Sequence, residues 1–286
     1  MQTDCISLEN GTLRLEIAQS IGPRILGLSL DGSPNLLAEL PDFTALRPDG
    51  KIYNFHGGHR FWCSPEDAIL TYELEDFPVE IVKEENGLKV TKSPGIDSGM
   101  EKTIQVTLPD RTATAIITHQ LKNCTDHPMH CAPWAITQFR TGGAAILPMM
   151  APDAGFLPNC NLVLWSYTDM TDPNIHWGRN SIRLDASMRT PFKVGFANHV
   201  GWLAYWLEGV LFVKFAAYDS RVAYPDYGCS SECYCNNRFI ELETLGPLQE
   251  LLPGGRLEHV ETWHLFHAPV PPQNEAEVQC ILDQDV

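Results

Sequence analysis

Short apolar runs separated by turn residues dominate the pattern of hydrophobic and polar positions along this chain. Leu13, Leu15 and Ile17 alternate with polar residues, and Asn10-Gly11 and Asp31-Gly32 are strong turn signals on either side of the first strands. The pattern predicts an antiparallel all-β fold, with similar runs at residues 79–82, 88–91, 103–108, 112–121, 201–215, 239–245 and 258–266.

The rest of the chain shows little helical period. Short helices are predicted only over residues 65–70 and 274–282. Residues 34–68 alternate poorly and are rich in Pro, Gly, His and aromatic residues, which favours a functional or capping loop region. Because no linker or low-complexity run interrupts the chain, one domain of residues 1–286 is the simplest interpretation.

The net charge and the cysteine count exclude some partners and some classes of protein. The formal net charge of −16 argues against partners such as nucleic acid and anionic membranes. Nine cysteines, an odd number in a chain of 286 residues, do not suit a disulfide-stapled secreted domain. The N-terminus carries early acidic residues rather than a signal peptide, so a reducing cytoplasm is expected.

Motifs for cofactors and metals are missing. The sequence has no phosphate-binding loop, no dinucleotide fingerprint and no serine nucleophile elbow. Cys229, Cys233 and Cys235 form one cysteine cluster, but a zinc site usually needs a second. We therefore expect no cofactor and no metal.

One segment, residues 55–66, concentrates polar and aromatic groups around a glycine pair. His56 and His59 can exchange protons near neutral pH, Arg60 can donate paired hydrogen bonds, and Trp62 can stack on a sugar. Glycine lets the backbone approach a ligand closely. The segment predicts a binding site, although its His and Arg side chains could instead bond to backbone.

Charged residues also occur within apolar strands. Glu241 and Glu243 are two apart on a predicted strand and therefore share a face, which is either a cleft or a solvent-exposed edge. If they are buried, their repulsion raises at least one pKa, as a general base requires. Lys193 and Lys214 each need a partner within apolar strands, and either could meet Glu241, Glu243 or a ligand oxygen.

Several motifs resemble those of galactose mutarotase-like proteins. The closing strands match in residues 241–247, 251–255 and 261–265. The closer resemblance is to the DUF4380 branch of that superfamily and rests on residues 57–62, 64–66, 132–135, 165–169 and 224–226.

The resemblance implies an antiparallel β-supersandwich with a sugar-sized cleft on one sheet, and aldose 1-epimerase chemistry. Glu243 matches the glutamate base, while the position of the family's histidine acid falls close to Trp134. His59 is then the candidate acid, with His56 and His130 as substitutes. The implied substrate contacts are His56, Arg60, Trp62, Trp134, Lys214, Asp226 and Glu241.

Other functions stay open from the sequence. The chain could be a non-catalytic carbohydrate-binding protein that keeps the cleft, an interaction domain, or an enzyme related to glycoside hydrolases and polysaccharide lyases, because fold does not fix function. The expected partner is a small-molecule carbohydrate, and the expected state is a monomer or a homodimer.

Overall fold

The computed structural model describes residues 4–284, so residues 1–3 and 285–286 of the predicted 1–286 domain lie outside the described residues. Strands make up most of its regular structure. They are β1 (Cys5–Glu9), β2 (Leu13–Ala18), β3 (Arg24–Leu30), β4 (Glu39–Leu46), β5 (Ile52–Gly57), β6 (His59–Ser64), β7 (Glu80–Glu84), β8 (Gly87–Lys92), β9 (Met100–Thr107), β10 (Thr114–Asn123), β11 (Met129–Arg140), β12 (Ala144–Pro148), β13 (Val163–Leu164), β14 (Ile175–Trp177), β15 (Ser181–Asp185), β16 (Phe192–Phe196), β17 (Trp202–Leu207), β18 (Val210–Ala216), β19 (Ser231–Cys235), β20 (Phe239–Leu245), β21 (Gln249–Leu251) and β22 (Arg256–His267). The helical segments are α1 (Pro225–Gly228) and α2 (Glu275–Leu282). Within residues 4–284, no helix has the length and apolar character needed to cross a membrane.

Two large antiparallel sheets form the body of the fold. Sheet I has the order β1-β2-β3-β6-β11-β20-β19-β16-β13, and β21 also pairs with β11. Sheet II has the order β14-β15-β12-β17-β18-β22-β10-β9-β8-β7. The separate hairpin β4–β5 covers part of the outer face of sheet I, where Phe55 contacts Arg60 and Trp62. The predicted all-β antiparallel sandwich is therefore confirmed.

Apolar side chains fill the space between the facing sides of the two sheets. Sheet I contributes Leu15, Phe61 and Leu242, and sheet II contributes Val106 and Phe212, all closed to solvent. Burying one such side chain contributes about 1.5–3 kcal/mol. Because strand side chains alternate between faces, this core also decides which residues of each strand point outward.

Some predicted elements agree with the structure and others do not. The strand predicted over residues 239–245 coincides with β20, and the C-terminal helix is α2, capped by the side chain of Asn274. The helix predicted over residues 65–70 is wrong, because the segment forms bends and turns. The loop prediction for residues 34–68 is also wrong, because β4, β5 and β6 lie there. Strand β6 is covered on both faces, so it lacks the alternation of a half-exposed strand.

Candidate functional site

A row of paired residues crosses the centre of sheet I on its outer face. Arg60 of β6 lies opposite Ile136 of β11, Ile136 lies opposite Glu243 of β20, and Glu243 lies opposite Glu232 of β19. Directly opposite residues in antiparallel strands point to the same face. Leu242, next to Glu243, points into the core between the sheets, so this row faces away from the core.

Two flanking rows complete the candidate site. On one side, Trp62 lies opposite Trp134, and on the other, Glu241 lies opposite Tyr234. Lys193 of β16 lies opposite Tyr234 and so belongs to the second row. The register thus brings together five of the predicted site residues, which are Glu243, Glu241, Arg60, Trp62 and Trp134.

Lys193 links the charged groups at the centre of the site. Its Nζ lies 3.0 Å from Oε2 of Glu243 and 2.7 Å from Oε2 of Glu232. The same ammonium lies 4.9 Å from the ring centre of Trp134 and 4.7 Å from that of Trp165. Trp134 Nε1 also donates a hydrogen bond of 2.8 Å to Glu243 Oε2. Glu243 is therefore held from two sides by donors.

A second ion pair lies beside the first. Arg60 Nη2 donates to Glu241 Oε1 at 2.9 Å. The guanidinium also stacks over Trp62, 4.2 Å from the ring centre, and lies 5.5 Å from the ring centre of Phe55. These contacts fix a planar donor group among aromatic rings.

Burial and neighbouring charges shift the pKa values of the charged groups in the site. Burial raises the pKa of Glu232 well above its ordinary value, the ammonium of Lys193 opposes this, and the charges of Glu243 and Asp226 add to it. Burial also raises the pKa of Glu241, with Arg60 in opposition. Burial alone would lower the pKa of Lys193, but the carboxylates of Glu243 and Glu232 outweigh it and hold that pKa well above its ordinary value. Burial therefore favours the protonated form of the Glu232 and Glu241 carboxyl groups, and the neighbouring carboxylates favour the ammonium form of Lys193.

Several buried polar atoms on this face have no hydrogen-bond partner within residues 4–284. They include Oε1 of Glu243, Nε and Nη1 of Arg60, and both amide atoms of Gln138. An unpaired buried polar group costs about 1–3 kcal/mol, and such groups in a folded protein call for an explanation. A ligand rich in hydroxyl groups could supply both donors and acceptors to these atoms.

Aromatic side chains from loops cover the site. Tyr72 packs 4.9 Å from the ring centre of Trp62, and Tyr167 lies 6.4 Å from that of Tyr234. Tyr167 is 44% exposed, whereas Glu243 beneath this cover is 0% exposed. A ligand can therefore reach Glu243 only when the aromatic cover moves, and that cover includes Trp165.

The structure places His59 on the opposite face of sheet I and Lys214 on β18 of sheet II, so that both side chains lie between the two sheets. His59 Nδ1 bonds to Thr137 Oγ1 at 2.9 Å, and Lys214 Nζ donates to Glu261 Oε1 at 2.7 Å. Burial lowers the pKa of His59 well below its ordinary value. Neither residue is brought to Glu243, so the predicted pairing of a His59 acid with a Glu243 base is not formed on one face.

These two residues belong to a buried polar network that spans the sheets. His119 Nδ1 lies 3.0 Å from the carbonyl oxygen of His259 and so must donate to it, which leaves His119 Nε2 to accept from His59 Nε2 at 2.7 Å. His59, His119 and Glu261 offer three ligand atoms within 4.8 Å of one another, a spacing that a metal ion could use. However, the Lys214 ammonium already pairs with the Glu261 carboxylate, and its positive charge would repel a metal cation.

The remaining predicted residues lie at the margins. His56 bonds to Asp76 Oδ1 at 2.8 Å and lines a separate wide groove of about 1030 Å³ beside β2 and β3. Asp226 lies in the α1 turn with a left-handed φ of 48°, and its charge acts on Glu232. His130, a substitute acid, is exposed on β11 and pairs in register with Glu250 of β21.

Sequence reasoning did not identify Glu232 as a site residue and left Lys193 without a defined role. Glu232 lies among cysteines and small residues in residues 228–235, a composition that indicates a metal site rather than a catalytic carboxyl group. The signal in the sequence is a charged residue within a strand of otherwise uncharged residues, and Lys193 shows the same signal. Only the register of β16, β19 and β20 places both beside Glu243.

Comparison with known proteins supports the fold. No protein-family model and no curated protein matches the chain. The Slr1438 protein from Synechocystis sp. PCC 6803 aligns with a TM-score of 0.58 and 12% identity, over 93% of this chain and 97% of that chain. A candidate aldose 1-epimerase from Escherichia coli K12 aligns with a TM-score of 0.56 and 14% identity, over 93% of this chain and 100% of that chain. A galactose mutarotase-like protein from Lactobacillus casei ATCC 334 aligns with a TM-score of 0.55 and 11% identity, over 92% of this chain and 100% of that chain. The fold is therefore galactose mutarotase-like, as the sequence resemblance predicts, while the closer tie to the DUF4380 branch stays a prediction.

Proposed function

We propose that this protein binds a carbohydrate on the outer face of sheet I and interconverts its anomers, as an aldose 1-epimerase does. The observation that carries the proposal is the opposition of Glu243 and Glu232 on neighbouring strands, with Lys193 bridging them. The galactose mutarotase-like fold and the unpaired polar atoms of the same face support it.

Anomer interconversion needs a base and an acid that act close together. The base takes the proton of the anomeric hydroxyl, and the acid protonates the ring oxygen. Both oxygens are bonded to the anomeric carbon, so the two catalytic groups must converge on one point. Opposed residues of neighbouring strands have Cβ atoms about 4.5–5.5 Å apart, which lets two glutamate side chains meet there.

The reaction balances with these two carboxyl groups alone. The Glu243 carboxylate takes the proton from the anomeric hydroxyl, a carbonyl forms at the anomeric carbon, and the bond to the ring oxygen breaks. The Glu232 carboxyl group gives its proton to that oxygen, and the ring opens. After rotation of the aldehyde, the same steps in reverse close the ring with the opposite configuration and return both protons.

The surroundings assign the two roles. Burial and the nearby charge of Glu243 raise the pKa of Glu232 against the opposing ammonium of Lys193, which favours its protonated form, and we therefore assign Glu232 as the acid. The Lys193 ammonium, 3.0 Å from Glu243, balances the charge of the base. Glu232 thus takes the role that the sequence assigned to His59, which lies between the sheets.

Substrate contacts would come from the second ion pair and the aromatic cover. Arg60 and Glu241 present donors and acceptors to sugar hydroxyls. Trp165, which is half-buried, offers a ring on which the C–H face of a pyranose could stack, whereas Trp62 and Trp134 are buried against Arg60 and Lys193. Trp165 must first leave Lys193, and its movement would couple binding to exposure of the catalytic groups.

A non-catalytic carbohydrate-binding protein is the second candidate. It is favoured by the closure of the site, where Glu243 and Glu232 both pair with Lys193 rather than facing open solvent. If these pairs persist around a bound sugar, no carboxylate is free to take a proton.

Anomeric exchange across a panel of aldoses and sugar phosphates, followed by NMR, tests the proposal. We expect at least one sugar whose exchange is accelerated by the wild type and by the exposed control Glu250→Gln, but not by Glu243→Gln. Binding of a sugar without acceleration by the wild type would favour the second candidate. Neither binding nor acceleration for any sugar would reject both.

A further inference from the structure

A small cavity is lined by four sulfur-containing residues. Its volume is about 140 Å³, and its lining includes Cys63, Cys131, Met100 and Met129. Lys102 also lines it. This cavity is separate from the proposed sugar site, because Cys63 and Cys131 share the inner face of sheet I with His59.

The strands explain why these sulfur atoms converge. Cys63 of β6 lies opposite Pro133 of β11, and Cys131 is two residues before Pro133, so both thiols point to the same face. Met129 is two residues further along β11 and points the same way. Met100 begins β9 of sheet II and reaches the cavity from the other side.

The same register argues against a disulfide between the two thiols. Diagonal neighbours of this kind are about 7–8 Å apart at Cα, beyond the range of about 4.4–6.8 Å that a disulfide spans. Both cysteines nevertheless line the same cavity. A single atom placed between the two sulfurs would span a separation that a direct bond does not.

Two charged side chains of opposite sign line the cavity, Lys102 and Asp67. Lys102 also pairs with Glu75 at 3.2 Å, so its ammonium is already held by a carboxylate outside the lining. The charges of the lining therefore balance, and the sulfur-containing residues decide which ion the cavity suits.

We infer that the cavity is a binding site for a soft monovalent metal ion, Cu(I), held by the thiolates of Cys63 and Cys131 and the thioethers of Met100 and Met129. Thiolate and thioether ligands together select Cu(I), whereas Zn²⁺ sites use thiolate, imidazole and carboxylate ligands. Binding releases the two thiol protons, and the copper ion keeps its oxidation state throughout.

The test is an anaerobic titration with Cu(I) against a coloured Cu(I) chelator. It uses a background in which the exposed Cys124, Cys160 and Cys280 are replaced by serine. This background should withhold one equivalent of copper from the chelator, and Cys131→Ser in the same background should release it. Cys5→Ser, outside the cavity, is the matched control and should withhold the same amount.

Methionine variants keep the test decisive if a cysteine variant fails to fold. Met100→Leu and Met129→Leu nearly conserve side-chain volume, so the fold should survive. Each should weaken copper binding by about tenfold or more, since even outer-shell changes have effects of that size. The inference is overturned if the chelator removes all copper from the background protein, if the Leu variants bind copper as tightly as the background, or if mild oxidation joins Cys63 to Cys131 with the fold intact.

Discussion

Replacing Lys193 with methionine tests the buried charge cluster on which the proposed site depends. Lys193 Nζ lies 3.0 Å from Glu243 and 2.7 Å from Glu232. One such pair is worth about 5 kcal/mol at an effective dielectric of about 20, and breaking a buried pair costs about 3–5 kcal/mol. Because burial raises the pKa of Glu232 and so favours its neutral form, we expect one unpaired charge in the variant rather than two. We therefore expect the free energy of unfolding at neutral pH to fall by about 3–5 kcal/mol rather than by twice that value.

The loss should shrink as the pH falls. Without the ammonium, which opposes the raised pKa of Glu232, that carboxyl group binds its proton still more readily in the folded protein than in the unfolded chain. A carboxyl group with a raised folded pKa contributes stability below its unfolded pKa and loses it as the pH rises through the folded value. The difference between variant and wild type should therefore grow from acidic to alkaline pH, by up to about 1.4 kcal/mol per pH unit for one proton.

Urea unfolding of both proteins at several pH values measures this difference. Lys122→Met, which removes a partly exposed pair with Glu101 at 3.7 Å, is the matched control and should cost less than about 1 kcal/mol. The double variant Lys193→Met, Glu243→Gln should recover most of the loss, since it removes the unpaired charge. A loss that does not change with pH, or a double variant no more stable than the single one, would refute the reasoning.

Three further predictions concern other parts of the molecule. Lys214→Met, which breaks a pair with Glu261 at 2.7 Å, should lower the free energy of unfolding by about 3–5 kcal/mol, and adding Glu261→Gln should restore part of it, as measured by urea unfolding. Exchange activity should fall as the pH rises through the raised pKa of Glu232, and Glu232→Gln should lose both the rate and this alkaline limb; an unchanged profile would remove Glu232 from the acid role. Asn274→Ala removes the cap of α2 and should lower the thermal midpoint through a loss of about 1 kcal/mol, whereas an unchanged midpoint would mean that the cap adds nothing.

Alternation made one face of the candidate site predictable from sequence. In β20, Ile240 and Leu242 point into the core, so Glu241 and Glu243 must share the other face, as their spacing indicates. The same rule separates His59 from Arg60 once β6 is known to be a strand. Because β6 is buried on both faces, its sequence resembles a loop rather than an alternating strand, and the prediction placed both residues in one site.

The other contacts of the site depend on the register between strands that are far apart in the sequence. Glu232 and Glu243 are opposite each other because β19 and β20 pair in one register, and a shift of one residue would turn them to opposite faces. Lys193 and Lys214 look alike in sequence, each within an apolar strand. Their partners differ because β16 lies in sheet I and β18 lies in sheet II. Such pairings depend on strands far apart in the chain, which local patterns do not encode.

The most direct test of the central claim is inversion transfer between the two anomeric protons of the best-bound sugar, with binding measured in the same samples. We expect wild type to accelerate exchange and Glu243→Gln to lose it by about a hundredfold or more, the usual size of general acid–base catalysis, while the dissociation constant changes little. Exchange by Glu243→Gln at the wild-type rate would contradict the account, because the carboxylate proposed as the base would then take no part in the reaction.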